Sequence, residues 1–337
     1  MSSQAVILVG GQGTRLRPLT LKVPKPMLPV LNHPFLEHTI AYLRKYGFSD
    51  IILASSYLSG FIRDYLSSGG RGEAPLRYVV EDTPLGTAGA VKNAEPYLKS
   101  SFVVLNGDIF TDLNLADMLS FHRRHQARAT IALTWVDNPS AFGVVETEAD
   151  GRVRRFIEKP PPDQITTHWI NAGIYILEPE VLRYVPQATH YMFERGLFPL
   201  LLKRGEPVYG YPHHGYWLDM GTLEKYLGLN CDLLGAKTTS HLTPPPNQDG
   251  SYLAPDATVH PTASVTGPVA IGRRCRIDEG ARILGPVVIG NDCHIGAGAC
   301  LERAVLWDGA SARAGASYRQ CVICQKDGKE QIVSCDG

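Results

Sequence analysis

The sequence predicts an α/β domain on a mostly parallel sheet, followed by a short parallel β-helix. Two observations predict this pair. Over the first 235 residues, short apolar runs alternate with helical patterns. From Leu253 onward, an aliphatic residue returns every six positions. A length of 337 residues suits about two domains at roughly 150 residues each.

The first region reads element by element. Residues 5–9 are a continuous apolar run, as in a strand buried on both faces. Across 35–46, Leu36, Ile40 and Leu43 share one helical face, and Gly47 is a stop. A strand over 50–55 and a helix over 61–66 follow. Next come a strand over 76–80, a helix over 89–99, a strand over 102–105, a helix over 115–125 and a strand over 130–136. This alternation implies βαβ units with right-handed crossovers. Ligands of such sheets bind beyond the carboxyl ends of the strands, so site residues should directly follow apolar runs.

Residues 236–251, with Thr243-Pro244-Pro245-Pro246, read as a linker. The period-six series then runs Leu253, Val259, Val265, Ile271, Ile277, Ile283, Ile289, Ile295, Leu301, with Trp307 continuing it. Neither a helix nor a plain strand has period six. A parallel β-helix does, because each short strand turns one aliphatic side chain into the prism core. About three coils are expected over 252–320, with 321–337 as a C-terminal tail or cap. Cys275 and Cys293 lie one coil apart and should stack in reduced form.

Composition excludes several classes. Thirty-three basic and thirty-three acidic residues leave no formal net charge, which argues against a broad nucleic-acid surface. No apolar run reaches the ~18 residues of a membrane span, and the first ten residues lack the basic start of a secretory signal. Seven irregularly spaced Cys do not make a disulfide framework. A reduced, cytoplasmic protein with neither nucleic-acid nor membrane partner is expected.

The densest motif follows the first strand: Gly10-Gly11-Gln12-Gly13-Thr14-Arg15-Leu16-Arg17-Pro18-Leu19-Thr20, then Pro24-Lys25-Pro26. Glycines let backbone N–H groups approach a phosphate chain. Arg15 can fork onto phosphate oxygens, and Lys25 adds a point charge on a backbone stiffened by two prolines. There is no Gly-Lys-Ser/Thr of a Walker loop, and position 16 breaks the dinucleotide pattern. Alone, the segment could equally be a tight strand-to-helix turn. Asn106-Gly107-Asp108 ends another apolar run, and Asp219 precedes a predicted helix. Each aspartate alone could be a turn or capping residue. Cys321-Val322-Ile323-Cys324 lacks the second pair that zinc sites need. His213-His214 is a weak metal candidate.

With these segments in place, the chain resembles the sugar-phosphate nucleotidyltransferases, or nucleotide-sugar pyrophosphorylases, several of which carry a left-handed hexapeptide β-helix. The resemblance covers nearly the whole chain. It implies a Rossmann-like nucleotidyltransferase domain over 1–235. It also implies transfer of a nucleotidyl group from a nucleoside triphosphate to a sugar 1-phosphate, with release of pyrophosphate. Gly10, Gly11, Gly13, Thr14 and Arg15 would bind the nucleotide, with Arg15, Lys25 and Asp108 catalytic. Asp108 and Asp219 would hold Mg²⁺. Glu81, Gly86 and Thr87 match the base-reading segment; Gly143, Glu158, Lys159 and Asn171 match the sugar-phosphate side.

Guanylyl-transferring members typically have Glu at the position of Glu81, and thymidylyl- or uridylyl-transferring members Gln. A carboxylate accepts both the N1–H and N2–H₂ of guanine, whereas a Gln amide suits the donor–acceptor edge of uracil or thymine. Glu81 thus points to GTP, while these residues leave mannose against glucose open; by resemblance the nearest members are the mannose-1-phosphate guanylyltransferases, which make GDP-mannose from GTP. Glucose-1-phosphate thymidylyl-, uridylyl- or adenylyltransferases and heptose-phosphate guanylyltransferases are the alternatives, as is a non-catalytic regulatory paralogue. A homo-oligomer through the β-helix is expected. A second, acyltransferase activity is not, because the β-helix is short and His260 and His294 are its only candidate bases.

Overall fold

The computed structural model describes residues 3–11, 13–55, 59–67, 76–240, 242, 251–326 and 329–335. Most of the expected linker, 241 and 243–250, lies outside the described residues, as does Gln12. Two compact units divide the chain: residues 1–12 with 39–217, and residues 13–38 with 218–337.

The chain begins with β1 (Ser3–Leu8), the hairpin strands β2 (Pro29–Val30) and β3 (His33–Pro34), α1 (Phe35–Lys45), β4 (Phe48–Ser55), α2 (Ser59–Ser67) and β5 (Leu76–Val80). There follow α3 (Gly86–Asn93), β6 (Phe102–Asn106), β7 (Ile109–Thr111), α4 (Leu115–Arg124), β8 (Ala129–Trp135), β9 (Gly143–Thr147) and β10 (Val153–Glu158). Then come β11 (Trp169–Leu177), α5 (Phe198–Lys203), β12 (Val208–His213), β13 (Trp217–Asp219) and α6 (Leu223–Leu234).

The first unit is built on a nine-stranded mixed sheet, ordered β10-β9-β11-β6-β1-β4-β5, with β8 on β11 and β12 on β8. Strands β5, β4, β1 and β6 run parallel. Ala5, Val6 and Ile7 of β1 are fully buried, which is why that strand reads as an unbroken apolar run. From β11 onward the pairing turns antiparallel, to β6, β8 and β9, while β12 returns parallel to β8. Val6, Val104, Val91, Phe193 and Phe198 belong to the core on one side of this sheet. The helix expected over 89–99 starts three residues earlier and ends at Asn93. Pro96 lacks the N–H to continue it, so a 3₁₀ turn, Glu95–Tyr97, follows. Asn114 caps α4 by accepting from Ala116 N and Asp117 N.

In the second unit the period-six residues form a parallel β-helix of three stacked sheets. One contains Val269–Ile271, Val287–Ile289 and Val305–Leu306; the others pass through Ile277 and Ile295, and through Ile283 and Leu301. These side chains are buried. The expectation for Trp307 needs correcting. Ile289 pairs with Leu306, because only five residues separate Leu301 from the next inward position. Leu306 is 1% exposed, whereas Trp307 is half-buried. The repeat also continues beyond Trp307: Ala312 and Tyr318 are the next inward residues, giving a fourth level. The strand Cys321–Lys326 pairs parallel to Val305–Leu306 and antiparallel to Lys329–Ser334. The Cys275 thiol donates to Gly290 O (2.9 Å) and the Cys293 thiol to Trp307 O (3.2 Å), each to a neighbouring coil.

Glycines follow the inward aliphatics because the coils approach closely there. A Cβ on Gly290 would stand 2.6 Å from Asp308 N. Gly290→Ala is therefore expected to destabilise by about 1–3 kcal/mol through backbone displacement. In contrast, Gly228 in α6 has nothing within 4 Å of its missing Cβ, so Gly228→Ala should stabilise by up to about 1 kcal/mol. Urea melts of the two variants check both signs.

Candidate active site

The parallel strands of the first unit end side by side, and backbone bonds carry the pairing one step further. Val9 N–H donates to Ala54 O (2.9 Å), Gly107 N–H to Leu8 O (2.8 Å) and Glu81 N–H to Ser55 O (2.9 Å). The start of the glycine loop, Asp108 and Glu81 are thus placed by sheet backbone. A side chain at residue 107 would collide with Leu8 O, so glycine is required before Asp108. Two polar atoms at these strand ends are buried without a partner among the described residues, Ser55 Oγ and Asn106 Oδ1. Such orphans are costly unless something else meets them. Neither was assigned a role from sequence, although Asn106 opens the quoted Asn106-Gly107-Asp108.

Glu81 is buried, and its Oε2 accepts from Leu85 N (3.0 Å). Burial raises its carboxyl above the ordinary carboxylate range, opposed by Leu85 N–H and His190. One carboxylate oxygen thus shapes the loop while Oε1 is not used in that bond. Gly86 is left-handed (φ 74°), and its missing Cβ faces Tyr191 O at 2.8 Å. Chain packing alone therefore demands glycine there. The 190s segment is clamped to this loop, with Tyr191 O accepting from Ala88 N (3.0 Å) and Gly89 N (2.9 Å).

A hydrogen-bonded chain joins the segments of Thr87 and Asn171. Thr87 Oγ1 donates to Glu194 Oε2 (3.0 Å) and accepts from Phe193 N (2.9 Å). Tyr175 OH donates to Glu194 Oε1 (3.5 Å) and accepts from Asn171 Nδ2 (2.9 Å), while Asn171 Oδ1 accepts from Gly173 N (3.0 Å). Both Thr87 and Asn171 are held by the protein itself. Glu194, buried at the centre, had no signal in the sequence beyond being an ordinary glutamate. Gly143 pairs with Glu158 across β9 and β10, and its missing Cβ faces Phe156 Cζ (2.7 Å) and Glu158 Oε2 (2.9 Å). Lys159 is exposed and left-handed (φ 51°), a strained state for lysine, with its N–H held by Phe142 O (2.9 Å). Burial, then the neighbouring Glu194 charge, raises the Glu158 carboxyl.

The remaining candidates belong to the second unit. Gly13 is left-handed (φ 59°), its O accepts from Thr20 Oγ1 (2.8 Å), and its missing Cβ faces Lys25 Cβ at 3.1 Å. Lys25 is 8% exposed, whereas Thr14 and Arg15 are exposed. Asp219 pairs with Lys225, and the missing Cβ of Gly221 lies 3.0 Å from Arg15 Nη2 and 3.2 Å from Asp219 Oδ2. Arg15 and Asp219, far apart in sequence, thus border one glycine. Thr222, not Asp219, caps α6. In the first unit, His213 Nε2 lies 2.9 Å from Asp112 Oδ1.

Among the described residues, no three His, Cys, Asp or Glu side chains converge as a ready metal cage. Mg²⁺ does not require one; it takes one or two carboxylates with phosphate oxygens and water. The Asp108 carboxylate and Asn106 Oδ1, at and just beyond the end of β6, are hard oxygen donors of the kind Mg²⁺ takes. Asp219 is a carboxylate of the second unit.

Residues 4–235 match the family described as nucleotidyl transferase, and residues 268–303 the one described as bacterial transferase hexapeptide (six repeats). A mannose-1-phosphate guanylyltransferase of Mycobacterium tuberculosis is 38% identical over 328 residues, covering 95% of this chain and 82% of that one. A UTP–glucose-1-phosphate uridylyltransferase of Synechocystis is 34% identical over 329 residues, covering 93% and 85%. The solved structure of HddC from Yersinia pseudotuberculosis complexed with GMP-PN is 30% identical. It has a TM-score of 0.59 and covers 68% of this chain and 98% of that one.

The raised carboxyl of Glu158 has a consequence for stability. The folded state holds its proton to higher pH than the unfolded state, so wild-type stability is lost as pH rises from the ordinary value of 4.5 through the raised one. Glu158→Gln does not titrate. It should match wild type below that range and become the more stable protein above it. Urea melts at pH 4 and pH 8 check this; a gap that closes with rising pH contradicts it.

Proposed function

The chain belongs to the nucleotidyl transferase family, and on that premise we infer that it makes GDP-mannose and pyrophosphate from GTP and mannose 1-phosphate. The observation that carries the guanine reading is Glu81, a buried carboxylate one residue beyond the end of β5. Oε1, with the remaining lone pair of Oε2, presents acceptors to a base edge carrying two adjacent donors. The mannose reading rests on the 38% identity to a mannose-1-phosphate guanylyltransferase. The 34% identity to a uridylyltransferase makes UTP with glucose 1-phosphate the second reading.

In the reaction, a phosphate oxygen of the sugar 1-phosphate attacks the α-phosphorus, the bond to the β-phosphate bridging oxygen breaks, and pyrophosphate leaves with that electron pair. Positioning and charge stabilisation suffice, with no covalent intermediate. Gly10, Gly11 and Gly13 give phosphates access to backbone N–H groups, and Thr14 and Arg15 bind beside them. Lys25 and Arg15 offset the charge that develops around the α-phosphorus. Lys159 holds the sugar phosphate, while Gly143, Glu158 and Asn171 meet the sugar. Asp108 and Asp219 would hold Mg²⁺, which when bound neutralises phosphate charge. The transferase domain spans 1–235, the linker 236–251 and the β-helix 252–320, with 321–337 as its cap. No helix among the described residues is long and apolar enough to cross a membrane. A cytoplasmic homo-oligomer assembled through the β-helix completes the reading.

The test is pyrophosphate release with Mg²⁺ over a grid of nucleoside triphosphates and mannose, glucose, galactose and heptose 1-phosphates. The pair GTP and mannose 1-phosphate is expected to give the highest kcat/KM. Best turnover with UTP or dTTP would overturn the Glu81 argument, and silence of folded protein with every pair would favour a regulatory paralogue. Glu81→Gln should shift preference from GTP toward UTP by roughly 5- to 150-fold, the worth of one bidentate base contact. Arg15→Ala and Lys25→Met should each lower kcat/KM about 10²- to 10³-fold.

A further inference from the structure

Lys25 and the β-helix lie in the same compact unit, and hydrogen bonds connect them through α6. Lys25 opens the 3₁₀ turn Lys25–Met27, in which Met27 N–H donates to Pro24 O (2.7 Å). The chain passes directly into the β2–β3 hairpin. Its two-residue turn is Leu31 (φ 45°) and Asn32 (φ 63°), both left-handed. Asparagine tolerates that conformation, but a leucine there persists only where its surroundings hold it. Three bonds do so. Leu31 N–H donates to Asn230 Oδ1 (3.0 Å), Asn32 Nδ2 donates to Ile289 O (2.9 Å), and Pro29 O accepts from Tyr226 OH (2.5 Å). Tyr226 OH in turn accepts from Trp307 Nε1–H (3.0 Å). Tyr226 is fully buried, as is Asn230, whose Nδ2 donates back to Tyr226 O (2.9 Å). Ile289 and Trp307 belong to the β-helix; Tyr226 and Asn230 belong to α6.

We propose that Trp307, Tyr226 and Asn32 are positioning residues for the phosphate-binding loop, so that the β-helix holds Lys25 in its working place. The two β-helix groups act on opposite sides of the turn: Trp307 through Tyr226 onto Pro29, and the Ile289 carbonyl onto Asn32. Three residues separate Pro29 from Lys25, and the missing Cβ of Gly13 faces the Lys25 stem at 3.1 Å. Freedom gained at the hairpin therefore passes to Lys25 and to the glycine loop beside it. This inference rests on Lys25 acting on the triphosphate.

Trp307→Phe deletes one donor and keeps an aromatic ring, though a smaller one; Tyr226→Phe keeps its ring and deletes both bonds of the relay. Hydrogen exchange and steady-state kinetics are measured on the full chain, below the melting temperature. Amide exchange at Met27, Leu28 and Leu31 is expected to quicken about tenfold in each variant. A net hydrogen bond is worth about 2- to 10-fold in an equilibrium constant, so kcat should fall by that factor, with KM for the sugar phosphate within about twofold. Because both changes break one relay, the double variant should be no slower than Tyr226→Phe alone. Val265→Ala, on the first coil and outside the relay, should leave kcat unchanged. Unchanged exchange, or faster exchange with unchanged kcat, would overturn the proposal. So would a drop in Tm with kcat intact, which is the mark of a purely structural bond. If wild type shows no transfer with any substrate pair, the functional reading fails, and unchanged or faster exchange then rejects or supports the mooring by itself. If Tyr226→Phe does not fold, Trp307→Phe carries the test.

Discussion

Parallel pairing of β1 with β4 and β6 is the constraint from which the candidate site of the first unit follows. The three strands stop at one level, and single backbone bonds extend the pairing past each end. Because the backbone sets these positions, chemistry can be placed there without long side chains reaching for it. Residue 107 lies so close to Leu8 O that only glycine fits, and Asp108 is delivered at the next position. Ser55 and Asn106, at the ends of the flanking strands, keep buried polar atoms with no partner among the described residues. A scaffold that is rigid below and polar above is what a positioning enzyme requires.

The polar interior next to these strand ends is arranged at a cost to stability. Glu194 sits buried between Thr87 and Tyr175, and its charge, together with burial, raises Glu158. The Glu158 carboxyl, raised by burial and then by this neighbouring charge, opposes folding at neutral pH. Its presence is consistent with sites that give up stability for binding capacity. The same network ties the loop of α3 to β11, so the segments read as base-facing and sugar-facing share one hydrogen-bonded chain.

In the second unit a single missing residue has a large effect. The five-residue step from Leu301 to Leu306 turns Leu306 inward and leaves Trp307 at the flank of the β-helix, where its indole N–H reaches Tyr226. With a six-residue step, the tryptophan would fall on the inward position instead. Residues 13–38, α6 and the β-helix belong to one compact unit, although the sequence reads as two separate regions.

The sequence by itself determined the two-part architecture, most of the elements of the parallel region, and the candidate site residues as candidates. Periodicity of two kinds survives translation into structure because burial repeats with the geometry of strand, helix or coil, as at Ala5–Ile7 and Ile271–Leu301. Motif residues such as Arg15, Lys25, Asp108 and Glu81 were legible because their chemistry follows an apolar run or a glycine turn. Only the tertiary structure decided which groups work together. Glu194 and Asn106 carry no local pattern; their importance comes from burial and from partners distant along the chain. Gly86 and Gly143 looked like openings for a ligand, but backbone and ring atoms from other segments already require them. Long-range contact also decided the place of Trp307. A one-residue change of register is invisible to a periodic count, yet it decides which face a side chain occupies.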